Sequence, residues 1–322
     1  MRTIGILADY LTKSHKEKLE KAALENGFVI RYFSNVQEAE SAIHECEILY
    51  GYYPAALLKK AASLRWFHTA SAGVDAFLSE EVYPHPGVYL TNSNGSYGIT
   101  ISEHIVMVLL MMMRLMPEYS KLMEEHDWRR LGDIRSIYGS SFVVVGTGDI
   151  GTNVARRLKA LGAATVIGVR RSLGKPLDPS FDGVTTLENL KEACQEKDAV
   201  ILCVPATSET KGLLSKEIID SLAPSCYVVN VGRGSAIDQD ALIAALNEDR
   251  IAGAALDVVT PEPLPKDAPL YDAKHLVLTP HISGTMALSH TCDINVDIFI
   301  RNLKRYVRGE SLHHLVDRKI GY

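Results

Sequence analysis

Short runs of apolar and β-branched residues alternate along the chain with longer amphipathic stretches. In the first hundred residues, strands are predicted at 3–8, 28–33, 47–51, 66–70 and 88–92, with helical patterns at 14–26, 36–46 and 57–62 between them. Gly27 stops the first of these helices. A long apolar helix is predicted at 101–116, followed by a polar surface arm at 118–135 that contains Trp128-Arg129. The rhythm then resumes, with strands at 142–145, 165–169, 199–204, 227–231, 252–258 and 276–279 and helices at 152–161, 187–193, 215–221 and 238–249. A last helix covers 288–308. Strands that alternate with helices and read as nearly continuous apolar runs predict an α/β protein with parallel sheets buried on both faces. No internal repeat or low-complexity segment interrupts the pattern.

One strand end carries a specific signal. Phe142-Val143-Val144-Val145 runs into Gly146-Thr147-Gly148-Asp149-Ile150-Gly151, and a helical pattern follows at once. This strand–turn–helix context makes a G-x-G-x-x-G string a dinucleotide-binding turn. The first glycine permits the turn, the second lets the backbone approach a pyrophosphate, and the third lets helix and strand pack closely. The helix N-terminus supplies N–H groups and a partial positive charge. Asp149 would be unfavourable beside phosphates, so its carboxylate is expected to face solvent. About 20 positions further on, dinucleotide folds place an acid on the ribose 2′-hydroxyl, yet the next strand ends in Arg170-Arg171-Ser172. A guanidinium pairs with a 2′-phosphate that a carboxylate would repel. The reading therefore favours NADP(H) over NAD(H), with the choice between Arg170 and Arg171 open.

Composition narrows the class. At 322 residues the chain is long enough for two domains, and 47% hydrophobic with 23% charged residues is ordinary globular usage. A net charge of -5 gives no reason to expect nucleic acid or an anionic membrane as partner. The five cysteines are scattered without a CxxC pair, the usage of a reduced compartment. The N-terminus enters a strand without a basic region and signal stretch, and the longest apolar run, at 105–113, is too short for a bilayer. A cytoplasmic protein with no membrane partner is expected. The methionines at 107, 111–113 and 116 are read as helix core or subunit interface. Glu103 is read as a dipole or capping interaction at the helix start.

Ligands of open α/β sheets sit at the carboxyl ends of the strands. Three such ends carry chemistry here: Asn230-Val231-Gly232-Arg233-Gly234, Asp257 to Leu264 with Glu262 between prolines, and Thr279-Pro280-His281-Ile282-Ser283-Gly284. Singly, each residue is better explained as a solvated or structural group. Jointly, an arginine, a glutamate and a histidine at consecutive strand ends beside a dinucleotide turn form a functional constellation.

With these strings together, the chain resembles the D-isomer-specific 2-hydroxyacid dehydrogenases over nearly its whole length, in the manner of glyoxylate/hydroxypyruvate reductases or phosphoglycerate dehydrogenases. Val204-Pro205 with Glu209-Thr210, Ser71 to Asp75 and Thr91-Asn92 add to the match. The resemblance implies two Rossmann-like, doubly wound domains with parallel sheets and an active site in the interdomain cleft. Residues 1–98 and 286–322 would form the substrate-binding domain and 99–285 the dinucleotide-binding domain. A homodimer held through the cofactor domains is implied as well.

The resemblance also implies roles. His281 would exchange a proton with the 2-oxo or 2-hydroxy group, imidazole being suited by its ordinary pKa near neutrality. Glu262 would pair with His281, and Arg233 would bind the substrate carboxylate and polarise its carbonyl. Backbone N–H groups of Ala72 and Gly73 would hold the other side of the carboxylate. Gly146, Gly148, Asp149, Ile150 and Gly151 would face the pyrophosphate. Val204, Val231, Gly232, Asp257, Ser283 and Gly284 would border the nicotinamide and its ribose. No metal is needed. Side chains near Trp66-Phe67-His68 and Ser71-Ala72 are expected to set substrate specificity. Two competing readings are a non-catalytic NAD(P)H-sensing protein of the same fold and a methyltransferase. The intact Arg233/Glu262/His281 set argues against the first, and the second leaves those three residues without purpose.

Overall fold

The computed structural model describes residues 2–174 and 176–322. Two compact units emerge, one from Met1–Tyr97 with Thr285–Tyr322, the other from Gly98–Gly284. In the first, β1 (Arg2–Leu7), β2 (Phe28–Tyr32), β3 (Ile48–Gly51), β4 (Trp66–Thr69) and β5 (Tyr89–Thr91) form a sheet of order β2-β1-β3-β4-β5. All pairs are parallel, with Ile4 opposite Ile30 on one side and Ile48 on the other. Strand order reverses between β1 and β3.

Both faces of this sheet are covered. The Lys13–Glu25 helix is fixed at its start by Thr12, whose hydroxyl accepts from the His15 N–H while the His15 ring takes the Thr12 N–H. Its buried residues Leu19, Ala22 and Ala23 join Ile4, Ile6 and Phe28 in one core layer. The Ser289–Val307 helix packs into the same layer through Val296, Phe299 and Leu303, which explains why the end of the chain belongs to the first unit. Phe299 is fully buried, with ring centroids 4.4 Å from Tyr50 and 5.2 Å from Trp66. On the other face lie Ile43, Leu49, Leu58 and Phe67.

The second unit has seven parallel strands: β6 (Ser141–Val145), β7 (Thr165–Arg170), β8 (Gly183–Thr186), β9 (Ala199–Leu202), β10 (Tyr227–Asn230), β11 (Gly253–Leu256) and β12 (Leu276–Leu278). Their order is β12-β11-β10-β9-β6-β7-β8, so the direction of winding reverses between β6 and β9. Central strands β9, β10 and β11 are buried at every position, as the apolar runs predict. Because all strands run the same way, the connections after β6, β9, β10, β11 and β12 share one edge of the sheet.

Three local readings change. The apolar helix spans Gly98–Met113; Leu115 then takes a left-handed φ of 54° and a second helix covers Met116–Glu124, so part of the expected polar arm is helical. β8 has no counterpart among the predicted strands, since Gly183-Val184-Thr185-Thr186 is a half-buried edge strand without an apolar run. The expected helix at 57–62 is only Ala55–Leu58. Among the described residues no single helix is long and apolar enough to cross a membrane.

Phe299→Ala is expected to lower the unfolding free energy by about 3–5 kcal/mol, because it empties a space between two rings that cannot collapse. Urea unfolding followed by tryptophan fluorescence reads this through Trp66; a loss below about 1 kcal/mol would mean that the C-terminal helix is not part of this core.

Candidate active site

The turn after β6 is built on backbone proximity. Gly146 has φ 98° and donates its N–H to Val169 O at 2.7 Å. A Cβ there would lie 2.6 Å from Cys203 O, in the connection leaving β9. Gly151, in the first turn of the Asp149–Ala160 helix, would place a Cβ 1.9 Å from Gly146 O. Gly148 is the helix N-cap, with open space where its Cβ would be and no side chain capping the helix. The amides of the first turn are therefore available to an anion, and the missing side chain lets that anion come close. These residues fit a dinucleotide pyrophosphate.

Asp149 departs from expectation. Its carboxylate does not face solvent; it turns towards the start of the Gly98–Met113 helix, accepting from the Gly98 backbone and, at 3.1 Å, from Asn153 Nδ2. Burial raises its pKa above the usual carboxylate value, while those hydrogen bonds and Arg156 oppose the rise. A carboxylate at a helix N-terminus is favoured by the helix dipole, and this attraction draws the side chain away from the phosphate-facing edge. Glu103 is likewise not a cap. It lies in the second turn of its helix and pairs with Arg157 at 3.3 Å.

At the end of β7, Arg170 is the last strand residue and its guanidinium donates to Leu173 O at 3.1 Å and Pro176 O at 3.4 Å. Arg170 thus helps close the turn beyond the strand, and Arg171 follows it as an exposed residue.

The Arg233 connection is organised by Asn230, whose bonding is not visible in the sequence. Asn230 is fully buried; its Oδ1 accepts from Gly232 N at 3.0 Å and its Nδ2 donates to Arg233 O at 2.9 Å. Gly232 and Gly234 lie where a Cβ would come within 2.5 Å of Val204 O and 2.2 Å of the Val259 backbone. The loops after β9, β10 and β11 are therefore in direct backbone contact. Val204 and Val231 are buried in this stack.

Of the three constellation residues, the fold brings two into contact. His281 Nδ1 is 2.7 Å from Glu262 Oε2, and Glu262 Oε1 accepts from Val259 N at 3.0 Å. The pairing with a carboxylate assigns a proton to Nδ1 and leaves Nε2 facing away from Glu262. The His281 side chain is half exposed, so Nε2 is reachable. Arg233 stands after β10, beyond the intervening β11, with its Nη1 donating to Gly232 O at 2.7 Å.

Asp257 is 3% exposed and does structural work. Its carboxylate accepts from Thr279 Oγ1 at 2.6 Å, Ile282 N at 2.8 Å and Ser283 N at 3.0 Å. Burial raises its pKa, but the hydrogen bonds from Ser283, Thr279 and Ile282 outweigh that and hold it below the ordinary value. Only its position at a strand end, not its bonding, was visible in the sequence.

In the first unit, the loop after β4 has its carbonyls tied one after another. Ala70 O accepts from Tyr97 Oη at 2.8 Å and Asn295 Nδ2 at 2.9 Å, and Ser71 O from Ser93 N at 3.0 Å. Ala72 O accepts from Asn92 Nδ2 at 2.8 Å and Gly73 O from Ser71 Oγ at 2.7 Å. The N–H groups of Ala72 and Gly73 bond to nothing among the described residues, an arrangement that suits an anion. Trp66, Phe67 and His68, near which specificity-setting side chains are expected, are themselves wholly buried. Thr91 and Ser93 hydrogen-bond the two ring nitrogens of His68, and burial, with His314 second, pushes its pKa down to about 3. These three side chains are core and set no specificity by contact.

A family profile described as the NAD binding domain of D-isomer specific 2-hydroxyacid dehydrogenases matches residues 106–283. A glyoxylate reductase of Korarchaeum cryptofilum is 32% identical, the match covering 83% of this chain and 80% of that protein. Among solved structures, a D-isomer specific 2-hydroxyacid dehydrogenase family protein from Aeromonas salmonicida superposes with a TM-score of 0.87 at 33% identity, over 98% of this chain and 99% of that one. A D-isomer specific 2-hydroxyacid dehydrogenase from Xanthobacter autotrophicus, solved with NADPH and MES, gives a TM-score of 0.82 at 26% identity, over 100% and 99%.

Gly151→Ala is expected to cost roughly 1–3 kcal/mol of stability, since the methyl would displace the Gly146 carbonyl. Equal denaturant midpoints for variant and parent would show that the helix can stand off from the strand.

Proposed function

Since the chain belongs to the D-isomer specific 2-hydroxyacid dehydrogenase family, we propose that it reduces a small 2-oxo acid to the D-2-hydroxy acid, with NADP(H) favoured over NAD(H). The observation that carries the reading is the His281–Glu262 pair: a reachable Nε2 on a ring whose other nitrogen rests on a carboxylate at 2.7 Å. When bound, the dinucleotide supplies the hydride that reaches carbon 2 of the acid. His281 Nε2 gives its proton to the carbonyl oxygen and takes it back in the reverse direction. Glu262 orients the ring and offsets the positive charge of the protonated form. Arg233 offers a planar fork to the substrate carboxylate and draws electron density from the adjacent carbonyl.

The amides of 148–151 would hold the pyrophosphate, and Val204, Val231, Gly232, Ser283 and Gly284 the surroundings of the nicotinamide. In the other unit, the Ala72 and Gly73 amides are the groups suited to a carboxylate. Glyoxylate and hydroxypyruvate are the first substrates to try, supported by the similarity to a glyoxylate reductase. The arginines at the end of β7 support NADP(H), and the Xanthobacter autotrophicus relative is described with NADPH. Exposed Met107, Met116, Met123 and Trp128 in the second unit support a homodimer formed through that unit. Cytoplasmic placement and the absence of nucleic-acid and membrane partners complete the proposal.

Loss of nicotinamide absorbance across glyoxylate, hydroxypyruvate, pyruvate and phenylpyruvate, with NADPH and NADH in parallel, tests the reading; silence with every pair would end it. His281→Ala is expected to lower kcat about 10²–10⁴-fold while the NADPH Kd stays close to that of the parent. Turnover at the parental rate would remove His281 from the chemistry. Arg171→Asp should lower the NADPH/NADH ratio of kcat/KM by tenfold or more, and by more than Arg170→Asp does if Arg170 serves mainly to close its turn. An unchanged ratio in both variants would take the 2′-phosphate away from this turn.

A further inference from the structure

Three consecutive amides of the His281 turn end on one residue. His281 N donates to Asp257 O at 2.9 Å, Ile282 N to Asp257 Oδ1 at 2.8 Å and Ser283 N to Asp257 Oδ2 at 3.0 Å. His281 itself has φ 55°, a left-handed conformation that is unfavourable for a residue with a side chain. Asp257 is the residue of those surroundings that receives the amides of 281, 282 and 283, the first of them shared with Thr279 O.

Asp257 is in turn set by a short relay. Thr279 Oγ1 lies 2.6 Å from Asp257 Oδ1 and 3.3 Å from His104 Nε2, on the Gly98–Met113 helix. A hydroxyl has one proton to give, and an ionised carboxylate has none. Thr279 therefore donates to Asp257 and accepts from His104, which must carry its proton on Nε2. Burial keeps the His104 ring below its ordinary pKa against the pull of Asp257, so the neutral ring is the form that donates.

We propose that His104 and Thr279 are positioning residues, which act through Asp257 to hold the turn that presents His281 to Glu262. This rests on reading His281 as the proton donor. Neither residue touches the ring of His281. Their effect is on geometry: with the Thr279 hydroxyl gone, Asp257 can rotate, and the backbone at 281 is free to leave its left-handed conformation.

Thr279→Val removes the hydroxyl at nearly constant volume. With glyoxylate and NADPH it is expected to lower kcat about tenfold or more, with KM and the NADPH Kd within about threefold of the parent. Thr279→Ser should restore kcat to within about threefold, which lost packing alone does not predict. His104→Leu should lower kcat in the same direction, and the double variant should be no slower than Thr279→Val alone, because the two side chains act in series. Nitrogen-15 spectra of the histidine rings should show His104 as the Nε2–H tautomer, a readout independent of turnover. Parental kcat in Thr279→Val, multiplicative losses in the double variant, or an Nδ1–H tautomer at His104 would each overturn the relay. If His281→Ala also keeps parental turnover, the reading of His281 fails; if His281→Ala is inactive while Thr279→Val is not, only the relay fails.

Discussion

A buried carboxylate governs the edge of the second unit where Glu262 and His281 meet. Asp257 closes β11, and its oxygens collect hydrogen bonds from the turn after β12. A charge with so little exposure would be costly without those donors, and the turn would lose its shape without the charge. Each therefore requires the other. On the neighbouring strand, Asn230 does the same with a neutral group, its amide filling both hydrogen-bonding needs of the Arg233 loop. In both cases a polar side chain at the end of an apolar strand converts sheet geometry into loop geometry.

The loops can only be set this way because they touch. Gly146, Gly232 and Gly234 each lie where a Cβ would meet the backbone of a neighbouring connection, at 2.6, 2.5 and 2.2 Å respectively. The connections after β6, β9, β10 and β11 are thus in backbone contact, each with the next. His281 and Glu262 meet beside them, from the connections after β12 and β11.

Much of this was legible in the sequence, for identifiable reasons. The order strand, G-x-G-x-x-G, helix located the close-packed glycine turn after β6, since glycines at that spacing let a strand and a helix approach each other. Parallel sheets followed from apolar runs alternating with helices. What escaped has physical causes too. β8 is an edge strand whose residues are all half buried, so no apolar run marks it. Trp66-Phe67-His68 marks a place for specificity in the sequence because aromatic and imidazole side chains serve ligands and cores alike; Thr91 and Ser93 satisfy the ring nitrogens of His68 from inside the core. The expectation of a solvent-facing Asp149 rests on the phosphate-facing edge alone, whereas a second helix N-terminus lies in reach at Gly98. Asn230 and Asp257 were read by position, and their bonding depends on three-dimensional proximity that spacing does not carry.

The loop at 70–73 has a consequence for how such a protein can change over time. Its carbonyls are anchored by Tyr97, Asn295, Ser93 and Asn92 from outside and by Ser71 from within, so the amides at Ala72 and Gly73 are oriented largely by the rest of the fold. A grip for an acid made of main chain, as proposed for Ala72 and Gly73, would survive a change of side chain at Ala72, which makes this unit a permissive starting point for divergence.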